Sequence, residues 1–266
     1  MKGWLIYEKG SAKKNESGIR IYIEEAGKSN VALELKTDGY YSFYNEPLPD
    51  FAIMRTYDYT LSRALENRGV RVFNNSFVSE ICNDKEKTYL YAKKHSIPVM
   101  ETVRYIPGGS IPFDYPVVVK PAGGHGGAGV ALACCPEELE TAVSKIKNDK
   151  ILLQRPASTR GKDLRVYVIG NEIICGMMRE SATDFRSNFS LGGSARQHSL
   201  SEKEAELVGK VTSVFNFDYA GIDIIYDNGD PVLNEIEDVA GARMLYMNTD
   251  INIIKLYMDH IVSVMH

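Results

Sequence analysis

The sequence predicts a mixed α/β (α+β) fold with a small leading α/β domain, a central region around a glycine-rich hairpin, and a C-terminal region of paired strands. Three observations predict it. Short apolar runs alternate with a helical pattern up to about residue 76. A β-branched run at 116–120 leads into the glycine-rich stretch 123–129 and a second strand. Two further hairpins turn at Gly170-Asn171 and at Asp227-Asn228-Gly229.

In the leading domain, residues 1–76, the apolar runs 4–7, 51–54 and 70–73 read as strands of a parallel sheet. Leu61, Ala64 and Leu65 fall at helical spacing, and Gly69 stands where that helix takes its C-terminal cap. In the central region, residues 77–150, a helix over 86–95 stops before Pro98. Residues 130–133 return as a strand, and Pro136 opens a helix with Leu139, Val143 and Ile146 on one face. In the last region, residues 151–266, strands are expected at 150–154, 164–169, 172–178, 220–226 and 232–237. Ser201 and Glu204 form a capping box before Leu207, Val208, Val211 and Phe215, and a final helix follows Asp250.

The composition excludes several classes. A hydrophobic fraction of 44% and a charged fraction of 25% belong to a globular chain rather than a disordered one. The net charge of −4 gives no general attraction for nucleic acid. Cys82, Cys134, Cys135 and Cys175 form no C-x-x-C pair, so they read as reduced thiols of a cytoplasmic protein rather than zinc ligands or a redox couple. The apolar start before Glu8 is too short for a signal peptide, and no run approaches the roughly 20 apolar residues of a membrane span.

Gly124, Gly126 and Gly129 match the spacing of a dinucleotide fingerprint, which should bend a strand into a helix. Here the glycines lead into a strand, and no Gly-Lys-Ser or Gly-Lys-Thr follows, which excludes a P-loop. A strand ending in Lys120, a glycine loop and a return strand have the form of a flap over phosphates, since bare backbone N–H groups approach oxyanions closely. Taken alone, the loop also fits a flexible hairpin tip.

Asp223 interrupts an apolar strand, and Glu235 and Glu237 share one face of the next strand with Ile236 opposite. If the two strands pair, Asp223 reaches that face, and three carboxylates there call for a divalent cation. Hard oxygen ligands favour magnesium or manganese. The bland alternative is a hairpin edge with solvated acids. Arg165, Arg186 and Asn188, with the small Gly192 and Gly193, supply the charge and donors that a transferring phosphoryl group needs, although each arginine alone reads as a surface charge.

The ordered set resembles the ATP-grasp superfamily, and specifically the RimK-type amino-acid ligases. It consists of Asp84-Lys85, the strand ending in Lys120 with its glycine loop, Leu152-Leu153-Gln154, Asp163-Leu164-Arg165, the Asp184-to-Asn188 segment with Gly192-Gly193, Ala220-Gly221-Ile222-Asp223 and Asn234-Glu235-Ile236-Glu237. The resemblance implies an ATP-grasp fold with the nucleotide cleft between the glycine-loop lid and an antiparallel C-terminal sheet. It implies that Lys85 and Lys120 meet ATP phosphates under a loop carrying Gly126 and Gly127, with Lys120 also near the adenine. Gln154, Arg155 and Ala157 would form the hinge that holds the base, and Asp163 would meet the ribose. Arg165, Arg186 and Asn188 would surround the γ-phosphate, and Asp223, Glu235 and Glu237 would hold two magnesium ions.

The activity so implied is ATP-dependent joining of a carboxylate to an amine through an acyl phosphate. The partners would be small-molecule or peptide substrates, with neither nucleic acid nor membrane, and a homo-oligomer is open. Two rivals use the same scaffold: a D-alanine- or thiol-type ligase, and a nucleotide-binding regulatory module without turnover. The family commonly carries Glu-x-Asn where this chain has Glu235 and Glu237, followed by Asp238, Val239 and Ala240 in place of a small-residue and proline turn. Arg243 lies just beyond and could clamp a substrate carboxylate, or stand on a helix surface. Arg55, at a strand end, could face the cleft or a solvent-exposed loop.

Overall fold

The computed structural model describes residues 1–37, 45–147, 150–181, 184–186 and 194–266. Among these the strands form three sheets. The leading domain contains β1 (Lys2–Tyr7), α1 (Lys9–Lys14), α2 (Glu16–Lys28), β2 (Ala32–Lys36), β3 (Phe51–Arg55), α3 (Tyr59–Glu66) and β4 (Arg71–Phe73). Its sheet is parallel, in the order β2-β1-β3-β4. Asp58 caps α3 by accepting the Thr60 and Leu61 amides, and Gly69 takes the positive φ, +86°, that ends it. The expected strands and α3 are present, while α1, α2 and β2 fall where no local pattern predicts an element.

From β1 the chain crosses to β2 on one side and then to β3 on the other. The carboxyl ends of β1 and β3 are therefore a topological switch point, where open α/β sheets hold ligands. Tyr7 and Arg55 are register partners there.

Two helices, α4 (Ser76–Cys82) and α5 (Lys85–Lys94), lead to β5 (Thr102–Arg104), β6 (Val117–Pro121), β7 (Ala131–Ala133), α6 (Pro136–Ser144) and β8 (Ile151–Gln154). The second sheet is antiparallel in the order β5-β8-β6-β7, and Leu139 of α6 packs on Val117, Val119 and Leu153. The glycine loop joins β6 to β7 as a hairpin, as expected. Its Gly124, Gly126, Gly127 and Gly129 all have positive φ, which side chains would strain.

The third sheet comprises β9 (Lys162–Ile169), β10 (Glu172–Glu180), β11 (Ser194–His198), then, after α7 (Glu202–Phe215), β12 (Tyr219–Asp227) and β13 (Asp230–Glu237). It is antiparallel in the order β11-β10-β9-β12-β13. The capping box of Ser201 and Glu204 is formed on α7. Two helices, α8 (Arg243–Asn248) and α9 (Ile253–Met265), close the chain. Alternation divides the sheet cleanly. One face sets Leu164, Val166, Ile222, Ile224, Leu233 and Ile236 against Leu207, Val208, Val211 and Phe215 of α7.

The other face is apolar in one half, where Tyr167, Met177 and Tyr219 share a core with Leu5, Tyr22 and Phe51 of the leading domain and Tyr257 and Met258 of α9. Its remaining half is polar and faces the glycine loop. No helix among the described residues is long and apolar enough to cross a membrane.

Candidate functional site

A cleft lies between the second and third sheets. Lys85, Lys120, Gln154, Arg186, Asp223 and Glu235 are among its walls, with Val118, Val130 and Ile225 as an apolar patch. Lys120 comes from β6 and is buried, with its Nζ 2.6 Å from the Tyr89 hydroxyl and 2.9 Å from Gln154 Oε1. The Tyr89 hydroxyl in turn donates to the Asn234 carbonyl at 2.7 Å. These partners are neutral. Burial, reinforced by the nearby Lys85 charge, lowers the Lys120 pKa to about 7.

Lys85, at the start of α5, bonds Glu235 Oε1 at 2.9 Å and donates to the Gly124 carbonyl at 2.7 Å. Asp84 caps the same helix by accepting the Glu86 and Lys87 amides.

The polar half of the third sheet is a ladder of carboxylates and guanidinium groups. Arg165 donates Nε and Nη2 to the two Asp223 oxygens at 2.7 and 2.6 Å, and Nη1 to Glu237 Oε2 at 2.7 Å. Arg179 donates to both Asp163 oxygens at 2.6 Å and to Asp223 Oδ2 at 2.8 Å. Burial alone would raise the Asp223 pKa, but the two guanidinium groups outweigh it and hold the carboxyl below its usual range. Gly221 makes room for this ladder: a Cβ there would lie 3.3 Å from Ala240 Cβ and 3.4 Å from Arg165 Cδ.

Two β-bulges set the ladder's register. Counted from the Asp227-to-Asp230 turn without interruption, Asp223 would stand opposite Asn234. The shift between Asp223 and Ile224 brings it opposite Glu235, and leaves Gly221 opposite Glu237. A second shift between Ile173 and Cys175 sets Arg179 opposite Asp163 rather than Lys162.

The structure thus brings Asp223, Glu235 and Glu237 to one face, with Ile236 in the core on the other. Their mutual repulsion is met by Arg165, Arg179 and Lys85. Arg179 was not singled out by the sequence reading; its only signal is its position on a strand facing Asp163, and that position depends on the bulge. Asp163 lines the cleft but is held by Arg179. Gln154 turns its side chain to Lys120 and donates to Thr102 Oγ1 at 2.9 Å, and it lines the cleft together with Pro156 and Ala157. Arg155 is exposed and bonds Asp227 of the hairpin turn at 2.6 Å.

Three tethers from different parts of the chain hold the glycine loop. Besides Lys85 on Gly124, Arg186 donates Nη1 to the carbonyls of Gly127 and Val130 at 3.1 and 3.3 Å, while its other nitrogens pair with Asp184. The His125 ring stacks on Tyr57 of the leading domain, centroids 3.7 Å apart and planes 9° off parallel. Gly127 lines the cleft, and Gly126 sits in the loop beside it. Asn188, Gly192 and Gly193 lie outside the described residues.

Arg243 and Arg55 stand apart from this cleft. Both line a second cavity of about 650 Å3 at the carboxyl ends of β1 and β3. Arg243 is exposed at the start of α8, and Arg55 donates Nη2 to the Val239 and Ala240 carbonyls at 3.3 and 3.0 Å.

A family model described as the RimK-like ATP-grasp domain matches residues 93–261. The human N-acetylaspartylglutamate synthase A is 31% identical over 82% of this chain, which spans 59% of that relative's length. A probable α-L-glutamate ligase of Maridesulfovibrio salexigens is 31% identical over 77% of this chain and 71% of its own. Among solved structures, the D-alanine–D-alanine ligase of Bacillus anthracis complexed with ATP has a similar fold. Its TM-score is 0.75 at 17% identity, covering 100% of this chain and 97% of that one.

Proposed function

The chain belongs to the RimK-like ATP-grasp family, and from that premise we propose that it is an ATP-dependent ligase joining a carboxylate to an amine through an acyl phosphate. The observation that carries the reading is the cleft itself, where Lys120, Lys85 and Arg186 converge with Asp223 and Glu235 under a hairpin flap. In this reading residues 1–76 are the substrate-side domain, 77–150 the lid, and 151–266 the nucleotide- and metal-binding half. The named relatives support an amino acid or a peptide-like molecule as one partner.

Lys85, Lys120 and Arg186 meet the phosphates, and Lys120 moves toward its charged form when polyanionic phosphate enters. Pro156 and Ala157 with the apolar patch hold the base. Asp163, fixed by Arg179, faces the ribose, while Arg165, Arg186 and Asn188 surround the transferring group.

Among the described residues no three acidic, histidine or cysteine side chains are gathered as a metal cage. Magnesium does not require one, because it takes one or two carboxylates and completes its shell with phosphate and water. Asp223, Glu235 and Glu237 fit that demand as oxygen donors on one face, and we assign them two magnesium ions, with manganese able to substitute. When bound, the metal draws charge from the phosphate oxygens. Lys85 and Arg165, which neutralise these acids, are placed to transfer their donors to phosphate.

A substrate carboxylate oxygen then attacks the γ-phosphorus and ADP leaves. The amine attacks the acyl carbon and phosphate leaves. The glycine loop, held by its tethers, excludes water meanwhile. Glu235→Gln should abolish amine-dependent ADP release with the circular-dichroism spectrum unchanged. Undiminished turnover, or acceleration by thiols but not amines, removes this assignment.

A further inference from the structure

Three elements converge on the buried amine of Lys120. The Tyr89 ring of α5 lies against it, with Nζ 4.8 Å from the ring centroid and 2.6 Å from the hydroxyl oxygen. Gln154 of β8 offers Oε1 at 2.9 Å and is itself anchored through Thr102. From β13 the Asn234 carbonyl accepts the Tyr89 hydroxyl at 2.7 Å. Tyr89 is buried and stands outside the cleft wall, so it reaches the cleft only through Lys120.

The direction of these bonds decides what Lys120 can do. A phenol has one proton, and here it is committed to the Asn234 carbonyl, so the Tyr89 oxygen meets Lys120 as an acceptor. Gln154 is an acceptor too, because its amide nitrogen serves Thr102. A neutral amine spends both its hydrogens on these two partners. An ammonium has a third, and Lys120 lines the cleft where that hydrogen finds a ligand oxygen.

We propose that Tyr89 is a positioning residue: its hydroxyl, fixed by the Asn234 carbonyl, aims the Lys120 amine at the phosphates of ATP. The inference rests on the ligase reading and adds to it a residue that touches no substrate. Because Asn234 precedes Glu235, the strand that presents the carboxylates also sets the aim of the lysine. Burial lowers the Lys120 pKa to about 7, and the proton needed for the third bond comes from solvent as phosphate enters. Two charged groups also act on this amine: Lys85 of α5 disfavours its charged form and Glu235 of β13 favours it. Tyr89 keeps its own proton throughout, because burial, followed by the Glu235 charge, raises its pKa above the usual phenol value.

The test is a double-mutant cycle on MgATP binding by the full chain, measured by titration calorimetry, with Tyr89→Phe and Lys120→Met. Phenylalanine keeps the ring against Lys120 and removes only the hydroxyl, and circular dichroism checks that each variant is folded. With Lys120 present, Tyr89→Phe should raise the Kd for MgATP roughly ten-fold, as for a lost bond to a charged group; in the Lys120→Met background it should raise it less than about two-fold. The parent's affinity should fall as pH rises above about 7, since binding then takes up a proton, and Lys120→Met should not show that fall. The Tyr89 oxygen bonds an ammonium more strongly than an amine, so in Tyr89→Phe the fall should begin at lower pH.

Equal losses in both backgrounds, no loss in either, or a pH profile that Tyr89→Phe leaves unmoved overturns the inference while leaving the ligase reading intact. Failure of the parent itself to bind MgATP overturns both.

Discussion

The two cavities treat charge in opposite ways. Around the proposed nucleotide cleft Lys85 meets Glu235, Arg165 meets Asp223 and Glu237, Arg179 meets Asp163 and Asp223, and Arg186 meets Asp184. Around the β1–β3 crevice the wall contains no Asp or Glu among the described residues, and Arg55 donates to the Val239 and Ala240 carbonyls. Matched charges let a buried polar cluster fold, and they suit a ligand that brings charges of both signs, as a nucleotide with its metal does. Lys14 and Arg243, exposed and without a carboxylate partner among the described residues, cost little in water and keep their field for an anion. The difference separates residues whose removal should damage the fold from residues whose removal should damage recognition.

The largest expected effect follows from that separation. Asp223→Ala leaves Arg165 with Glu237 and Arg179 with Asp163 but strips both buried guanidinium groups of their shared acceptor, and should cost about 1–3 kcal/mol of stability. Arg243→Gln, at an exposed position without an acid partner, should stay within about 0.5 kcal/mol of the parent. Urea unfolding of both variants measures the contrast. Equal shifts would remove the distinction between the two cavities.

Lys120 is the exception inside the cleft, because its hydrogen-bond partners are neutral. In the unfolded chain it keeps its proton up to its ordinary pKa of 10.5, whereas in the fold burial and Lys85 lower that value to about 7. Between these values the unfolded chain binds the extra proton, so the stability of the nucleotide-free protein should rise with pH. The steepest slope is about 1.4 kcal/mol per pH unit. Below pH 7 both states are protonated and the contribution is flat. Lys120→Met should remove the slope, which urea titrations between pH 6 and pH 10 would measure. A difference between parent and variant that does not change with pH contradicts a buried neutral amine.

Much of the scaffold was legible because periodicity reports burial directly. The runs forming β1, β3 and β6, the two glycine turns and the capping box of α7 all carry local signals. The segment holding α1, α2 and β2 was silent: α2 buries Ile19, Tyr22 and Ala26 on one narrow face but also buries Glu25, paired with Lys28, which dilutes the pattern. In the site, residue types at Lys120, Asp223 and Glu235 suggest phosphate and metal chemistry, yet their arrangement depends on two bulges that no spacing rule reveals. Arg179 was therefore invisible. So was the pairing of Arg55 with the 239–240 carbonyls, a contact between segments more than 180 residues apart that only the tertiary fold creates.

The smallest expected effect tests whether the two cavities are coupled. Tyr57 lies two residues beyond Arg55 of the crevice, and its ring stacks on His125 of the flap that covers the cleft. Such a stack contributes about 0.5–1.5 kcal/mol beyond area burial, so Tyr57→Leu should raise the KM for ATP by roughly two- to ten-fold. It should also raise ATP hydrolysis without amine relative to product formation, as a loosened flap admits water. Burial, followed by the Lys85 charge, lowers the His125 pKa to about 4, against 6.5 when free. The open loop therefore binds the extra proton between these values. The stack should strengthen as pH rises from 4 to 6.5 and stay constant above, and the difference between parent and Tyr57→Leu should follow the same course. A variant that alters KM for ATP without altering the hydrolysis ratio would mean that the stack only helps nucleotide binding, and that the crevice and cleft act separately.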